Sequence, residues 1–405
     1  MDKPLNGIRV VDWTIWQLGP TATTMMADLG AEVIKVEQTG SGDPGRGMSS
    51  IGGLQVDPHG PNFYFEACNR HKKSLAVDLK TAAGRQIVHR LVQRSDVFVQ
   101  NFRQSVAERL ELGYETLSRL NPRLIYASAS GYGPDGPDSQ ERALDYLGQA
   151  RSGFMYLASA PAEAMPCYIV GGIADQMGAI MLAYGTMVAL LARERTGVGQ
   201  RLDTSHLGAM VALQGLTVSA AGIQGRAMGT PTREAAANPL WNHYKCQDGK
   251  WIALGMIQGD RYWATLCELV GRPELVSDPR FANQTARTEH RAAAIAVLDQ
   301  IFASRPLAQW LALFRAQGEL IYSAINRIED LMGDAQVLAN QYVVEYEHPM
   351  HGPLKLVGLP VKFGSTAGDA RGRAPELGEH TEQILTETLG YSWDEVEGLR
   401  QAGAI

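Results

Sequence analysis

The chain has 405 residues, enough for two domains and a sizeable core. A fifth of it is charged and the formal net charge is −6, which argues against a nucleic-acid binder, since those carry a basic excess. The four cysteines (Cys68, Cys167, Cys246, Cys267) are scattered and form no CxxC pair; this argues against a disulfide framework or a zinc site and fits a reducing compartment.

The N-terminal Met-Asp-Lys-Pro-Leu-Asn-Gly runs straight into a strand pattern without signal-peptide character, so a cytoplasmic location is expected. Residues 8–13 are a short apolar run, read as a buried strand. Gly19-Pro20 breaks it, 21–29 reads as a helix, and Gly30 ends that helix as a C-cap would. Residues 32–37 form the next strand. Strand, helix and strand in close succession make a βαβ unit, hence a parallel sheet with a right-handed crossover. The Gly-, Ser- and Pro-rich segment 38–61 reads as a loop, long enough to suggest function.

The pattern then repeats: strand 73–78, amphipathic helix 81–94, strand 96–100, helix 114–121, strand 123–130. The fold class is therefore α/β with an open sheet. Ligands of such sheets sit at the carboxyl ends of the strands. Those ends carry residues 13–17, Glu37-Gln38, Asn101-Phe102-Arg103 and Ser130-Gly131-Tyr132.

Residues 168–193 stand out. Gly171-Gly172 opens a long apolar helix whose first turn holds a single carboxylate, Asp175, and nothing from Met177 to Ala192 is charged. A helix apolar on nearly every face is buried in a core or at a subunit interface. Its uncharged part is short for a bilayer, so no membrane span is expected. From the residues alone, Asp175 either caps the first-turn N–H groups or is a carboxylate held for chemistry at a helix N-terminus.

After strand 200–203 and helix 206–223 the composition changes. Segment 224–239 looks like a linker, and 241–255 reads as a hairpin about Asp248-Gly249. Helical patterns at 260–270, 287–303 and 307–316 suggest a smaller α/β or mostly helical domain. Short helices are expected at 329–331 and 334–340, strands near 343–344 and at 355–363, and terminal helices at 379–389 and 392–401.

Other motifs yield to plainer readings. Gly131-Tyr-Gly-Pro-Asp-Gly136 matches GxGxxG, but Pro134 and Pro137 interrupt it and no helix follows at once. A glycine loop that lets a ligand approach the strand end fits better. His348-Pro-Met-His351 has no third ligand and reads as a surface loop, so no metal is expected. Ser205-His206 are adjacent in sequence, which is not how a nucleophile meets its base. Arg70, Lys72, Lys73, Lys80, Arg103 and Arg109 cluster around strand ends, either as solvated charges or as partners of a phosphate.

These residues together carry a family signature. The stretches are Gly7-Ile-Arg-Val-Val-Asp12, Asp28-Leu-Gly-Ala-Glu-Val-Ile-Lys-Val-Glu37, Asn69-Arg-His-Lys-Lys-Ser74, Asn101-Phe-Arg103, Asn121-Pro-Arg-Leu-Ile-Tyr-Ala-Ser128, the Asp175 helix, Thr196-Gly-Val-Gly-Gln200 and Leu377-Gly-Glu-His380. The chain resembles, over nearly its whole length, the class III CoA-transferases, which include formyl-CoA:oxalate and carnitine CoA-transferases. It is also similar to their relative alpha-methylacyl-CoA racemase.

The resemblance implies a Rossmann-like large domain built from 1–223 and 325–405, a linker and smaller domain at 224–324, and an interlocked homodimer. It implies that CoA passes from an acyl-CoA to a small carboxylic acid, with coenzyme A a substrate and no permanently bound cofactor. The catalytic carboxylate falls on Asp175, forming an aspartyl anhydride and then an aspartyl-CoA thioester. Gln17 falls where a polar side chain faces the reacting groups. The CoA-binding pattern carries over to Gln38, Val77, Asp78, Leu79, Lys80, Asn101, Phe102, Arg103, Arg109, Ser130, Gly131 and Tyr132. Lys80 and Arg109 would meet phosphates and Phe102 the adenine.

The chain departs from the pattern at Gln38, at Gln104-Ser105 in place of Pro-Gly, and at 255–260, where two glycines replace a glycine run. The last argues against formyl/oxalate specificity. A racemase would need a His at Leu144, and leucine moves no proton. A non-catalytic CoA-binding protein is the rival from another class.

Overall fold

The early apolar runs become strands that are covered on both faces. In the computed structural model, which describes residues 3–160 and 165–405, β1 (Arg9–Trp13) is followed by α1 (Leu18–Asp28) and β2 (Glu32–Glu37). Then come β3 (Lys73–Ala76), α2 (Ala82–Val92), β4 (Val97–Gln100) and β5 (Ile125–Ser130). The site elements follow: α3 (Asp145–Arg151), α4 (Ile173–Thr196), β6 (Arg201–Ser205) and α5 (His206–Leu213). The six strands form one parallel sheet in the order β3-β2-β1-β4-β5-β6.

Alternation along each strand sends side chains to opposite faces. Val10, Val33 and Val97 pack with Ala22 and Met26 of α1 and Leu182 and Leu190 of α4. Val11, Ile34 and Phe98 pack on the other face with Ile87 and Leu91 of α2 and with Leu385 and Val396 near the C-terminus. A sheet buried on both faces explains why its strands read as continuous apolar runs. The chain end is tied to edge strand β3. Ala76 N donates to Thr381 Oγ1, and Asp78 N donates to Ala404 O.

The chain divides into two compact units. One holds the parallel sheet and comprises the described residues of 1–155, Cys167–Ala227 and Ala335–Ile405. The other comprises Met228–Asp334 with the described residues of 156–166. Its antiparallel sheet joins Trp241–Lys245, Trp251–Gly255 and Tyr322–Ile325, and its core centres on Trp263, Phe302, Trp310 and Phe314. The hairpin turns at Gly249, whose φ of +77° suits glycine.

Several expected elements differ. The loop 38–61 contains a 3₁₀ turn, Pro44–Gly47, and a small hairpin, Ser50–Ile51 with Leu54–Gln55. Short helices Phe63–Asn69 and Gln104–Arg109 were not legible; neither is long enough to show a period. The helix expected over 206–223 breaks at Gln214 and bends by 78° into Gly215–Gln224. There the Gln214 amide donates back to Met210 O and to Ser152 O. The strand expected at 355–363 ends at Val357, ahead of Gly358 and Pro360. His348 is not on a surface loop: it ends a strand and is 2% exposed. Helix α4 has a membrane span's length and hydropathy, yet one face packs on α1, β5 and α5. Its other face, with Ile180, Tyr184, Val188 and Leu191, is exposed in the single chain.

Candidate active site

The strand order reverses between β1 and β4, and a crevice opens at the carboxyl ends of such a pair. Here the crevice is a cavity of about 560 Å³. Asn101, after β4, bridges it to the loop after β1: its Nδ2 donates to Ile15 O at 2.7 Å and its Oδ1 accepts from Ile15 N at 3.0 Å. Buried charge pins the same loop from below. Lys35 Nζ donates to Thr14 O at 3.0 Å and pairs with Asp43 at 2.8 Å, while Lys72 pairs with Asp12 at 2.9 Å. Burial opposes ionisation of Asp12, but Lys72 and Lys35 outweigh it and hold the carboxyl below its usual range. Trp16 sits at φ +65°, with its N–H donating to Asp43 Oδ1. Such conformations persist only where surroundings over-determine them, and they concentrate at functional sites.

Gln17 follows Trp16. Its side chain lies against Gly172, the residue before α4, and its Nε2 donates to Gly171 O at 3.2 Å. Gly172 has φ +77°, and a Cβ there would lie 2.4 Å from Gln17 Oε1. Glycine is therefore required twice over, by backbone and by neighbour.

Asp175 stands in the first turn of α4 and lines the cavity. It does not cap its own helix. Asp145, the first residue of α3, does so: its Oδ1 accepts from Ala174 N at 2.7 Å and from Asp175 N at 3.2 Å. Its Oδ2 accepts from Gln149 Nε2 at 2.7 Å. Gln149 is fully buried and also holds both main-chain groups of Ile169 at 2.9 Å. The Asp175 carboxylate itself receives one hydrogen bond, 2.8 Å between Oδ1 and His206 Nε2. Among the described residues its Oδ2 has no partner.

Of the residues singled out by sequence, Asn101, Phe102, Arg103, Ser130, Gly131 and Asp175 line this cavity, and Gln17 lies between two lining residues, Trp16 and Leu18. Gln38, Val77, Asp78, Leu79, Lys80, Arg109 and Tyr132 do not line it. Gln38 follows β2, and 77–80 follow β3, so they continue along the same carboxyl edge of the sheet. Val77 and Leu79 point into the core, which leaves only their main chain for a ligand. Asp78 Oδ1 caps its own turn at Lys80 N. Tyr132 lies under the guanidinium of Arg151. Phe102 stacks on Trp13 at 4.3 Å.

The basic cluster separates into two groups. Arg70, Lys72 and Lys73 are taken by Asp28, Asp12 and Glu32 inside the unit. Lys80, Arg103 and Arg109 are exposed and have no ion-pair partner among the described residues. Arg142 and Asp145 are not legible in sequence, and His206 is read there only against its neighbour Ser205. Only the fold brings the first turns of α3, α4 and α5 together. The available signal was that His206 follows a parallel strand, β6, at its carboxyl end. No group of three or more metal-ligating side chains occurs among the described residues.

Comparison with known proteins agrees with this architecture. Residues 5–381 match the model of CoA-transferase family III. Mouse succinyl-CoA:glutarate CoA-transferase is 35% identical over 414 residues, covering all of this chain and 90% of its own. An acyl-CoA transferase of Fusarium pseudograminearum is 35% identical, covering 99% of this chain and 88% of its own. A crystal structure of a CAIB/BAIF family protein from Brucella suis superposes with a TM-score of 0.84 at 29% identity, covering 96% of this chain and 100% of its own.

Proposed function

Given that the chain belongs to CoA-transferase family III and is an acyl-CoA:carboxylate CoA-transferase, we propose that the exchange runs through covalent intermediates on Asp175. The carboxylate attacks the acyl-CoA carbonyl and expels CoA thiolate, leaving an aspartyl anhydride. The thiolate then attacks the aspartyl carbonyl, the donor acid leaves, and aspartyl-CoA remains. The acceptor acid attacks aspartyl-CoA and expels the thiolate. The thiolate then attacks the acceptor carbonyl of the new anhydride, giving the product thioester and the free Asp175 carboxylate. One difficult exchange is split into easier ones. The Gln17 amide donates to Gly171 O just ahead of the Asp175 helix, and its second N–H is the donor this reading assigns to an acyl or carboxylate oxygen.

The observation that carries this reading is the bonding of Asp175. Its helix turn is capped by Asp145, and its own Oδ2 has no partner among the described residues beside the cavity. For CoA, the strand ends from β3 to β5 span about 19 Å, four inter-strand spacings of ~4.8 Å. Lys80 and Arg103, which follow β3 and β4, and Arg109, at the end of the Gln104–Arg109 helix, have no ion-pair partner among the described residues and are the cations this reading assigns to the phosphates. We further propose a homodimer, which would cover the exposed apolar face of α4. A dicarboxylic acid such as the glutarate of the mouse relative's name is the first acceptor to try.

A racemase needs an acid and a base on opposite sides of an α-carbon. His206 is bonded directly to Asp175 and leaves no room for a carbon between them. The test is mass spectrometry after mixing with succinyl-CoA, followed by borohydride or hydroxylamine trapping. An adduct on Asp175, lost in Asp175→Ala, is expected. Intact CoA binding with no adduct across a panel of acyl-CoAs would sink the covalent mechanism.

A further inference from the structure

His206 is the side chain that meets the Asp175 carboxylate. Facing a carboxylate, which only accepts, its Nε2 carries the hydrogen and donates to Oδ1 at 2.8 Å. The residue is 8% exposed, and its other ring nitrogen, Nδ1, is buried without a partner among the described residues. As a structural choice that is poor, because a buried acceptor left unpaired is costly.

The ring is held by its surroundings rather than by its own second bond. Ser205 Oγ accepts from Gly208 N at 2.9 Å and fixes the start of α5. Leu207 N donates to Gly131 O at 3.0 Å. Gly148 leaves space for the ring's stem: a Cβ there would come within 2.7 Å of His206 Cβ.

We propose that His206 fixes Oδ2 of Asp175 as the attacking atom and is the oxyanion donor to Oδ1 when Asp175 is itself the electrophile. The role rests on the covalent exchange proposed above. Oδ2 attacks the thioester carbonyl carbon, the C–S bond breaks, and CoA leaves as thiolate. The thiolate then adds to Asp175 Cγ, and the Cγ–Oδ1 π pair moves onto Oδ1. Collapse breaks the Cγ–Oδ2 bond. The donor acid departs with Oδ2, and the new thioester keeps Oδ1. The same charge returns to Oδ1 when the acceptor carboxylate adds to Cγ; collapse breaks the Cγ–S bond, and the freed thiolate then attacks the acceptor carbonyl and releases Asp175 as carboxylate. A donor already aimed at Oδ1 stabilises each of these states without reorganising.

The test follows exchange of ¹³C-succinate into succinyl-CoA by the full chain, so that one acid is both donor and acceptor. His206→Leu is expected to lower kcat by about 10²- to 10³-fold, the usual loss on removing one oxyanion donor. The KM values for succinyl-CoA and succinate are expected to stay within about threefold, because the bond strengthens only in the transition state. His206→Gln, whose amide reaches as far as Nε2, is expected to recover at least about tenfold of that loss. His206→Asn, with a shorter amide, replaces His206→Leu if the leucine variant unfolds.

Folded donor-less variants that exchange label within about threefold of wild type, a change confined to KM, or a glutamine variant no better than leucine would each overturn the assignment. A wild-type protein that binds succinyl-CoA, exchanges no label and gives no Asp175 adduct would instead overturn the covalent exchange, and the role of His206 with it.

Discussion

Asp145→Ala tests how Asp175 is aimed. The substitution strips the acceptor from Ala174 N and Asp175 N and frees the Gln149 amide that steadies residue 169. Losing a helix N-cap costs typically ~1 kcal/mol, and hydrogen bonds to a charged group are worth ~1.5–3 kcal/mol each. The bonds share one carboxylate and the site is only partly buried, so the net loss is about 2–3 kcal/mol. The effect on rate should exceed what unfolding explains, because a displacement of ~1 Å at a reacting group can cost up to ~100-fold. The assay pairs a urea midpoint with the succinyl-CoA/¹³C-succinate exchange rate. Asp145→Asn keeps an acceptor and should recover most of the stability. An alanine variant with wild-type midpoint and wild-type kcat would refute the claim that Asp145 positions the nucleophile.

Four further outcomes are expected. Lys72→Met strands the fully buried Asp12 and should cost ~3–5 kcal/mol in a denaturant melt; a loss below ~1 kcal/mol would mean the pair is dispensable. Gly172→Ala should slow turnover far more than it lowers stability, since the new Cβ meets Gln17 and the backbone strain alone is only ~1–2 kcal/mol. Arg103→Ala should raise KM for acyl-CoA by about tenfold, a shortfall of ~1.4 kcal/mol in ground-state binding, and leave kcat near wild type. In acid, the sign for Asp12 is fixed by its lowered folded pKa: the stability it contributes is full above its usual value of 3.8 and is lost as pH falls through the folded value. The stability gap between wild type and Asp12→Asn should therefore narrow below pH ~4, as urea midpoints at neutral and acid pH would show.

Much of the sheet is legible in sequence because its strands are buried on both faces. Runs such as Glu32–Glu37 carry their signal in every residue, and the observed bounds match the expected ones. Gly30 closes α1 at φ +101°, a conformation that favours glycine. What fails is long-range. Arg70, Lys72 and Lys73 look like a phosphate patch beside Lys80 because sequence shows their charges and not their partners. Asp28, Asp12 and Glu32 lie 42, 60 and 41 positions away. His206 fails for the same reason: its neighbour in sequence, Ser205, caps the helix start but does not bond the ring, whose partner is 31 residues back. The exposed face of α4 shows a different limit. An apolar helix surface reads alike whether its own chain or another subunit covers it.

The two carboxylates at this site show how environment divides labour between like groups. Asp145 and Asp175 both stand in first turns, and either alone would suit a cap. Asp145 accepts three N–H bonds, from Ala174, Asp175 and Gln149. A carboxylate so engaged is a poor nucleophile, because attack would have to break the bonds that hold the helix turn. Asp175 accepts one bond, at Oδ1, and lies where the loop from Gly171 and the crevice of β1 and β4 meet. Capping by its neighbour thus removes the structural demand on Asp175 and leaves Oδ2 for chemistry. Sequence left open whether Asp175 is a cap or a reacting group; the backbone N–H groups of this turn bond to Asp145 instead, which supports the role proposed for Asp175.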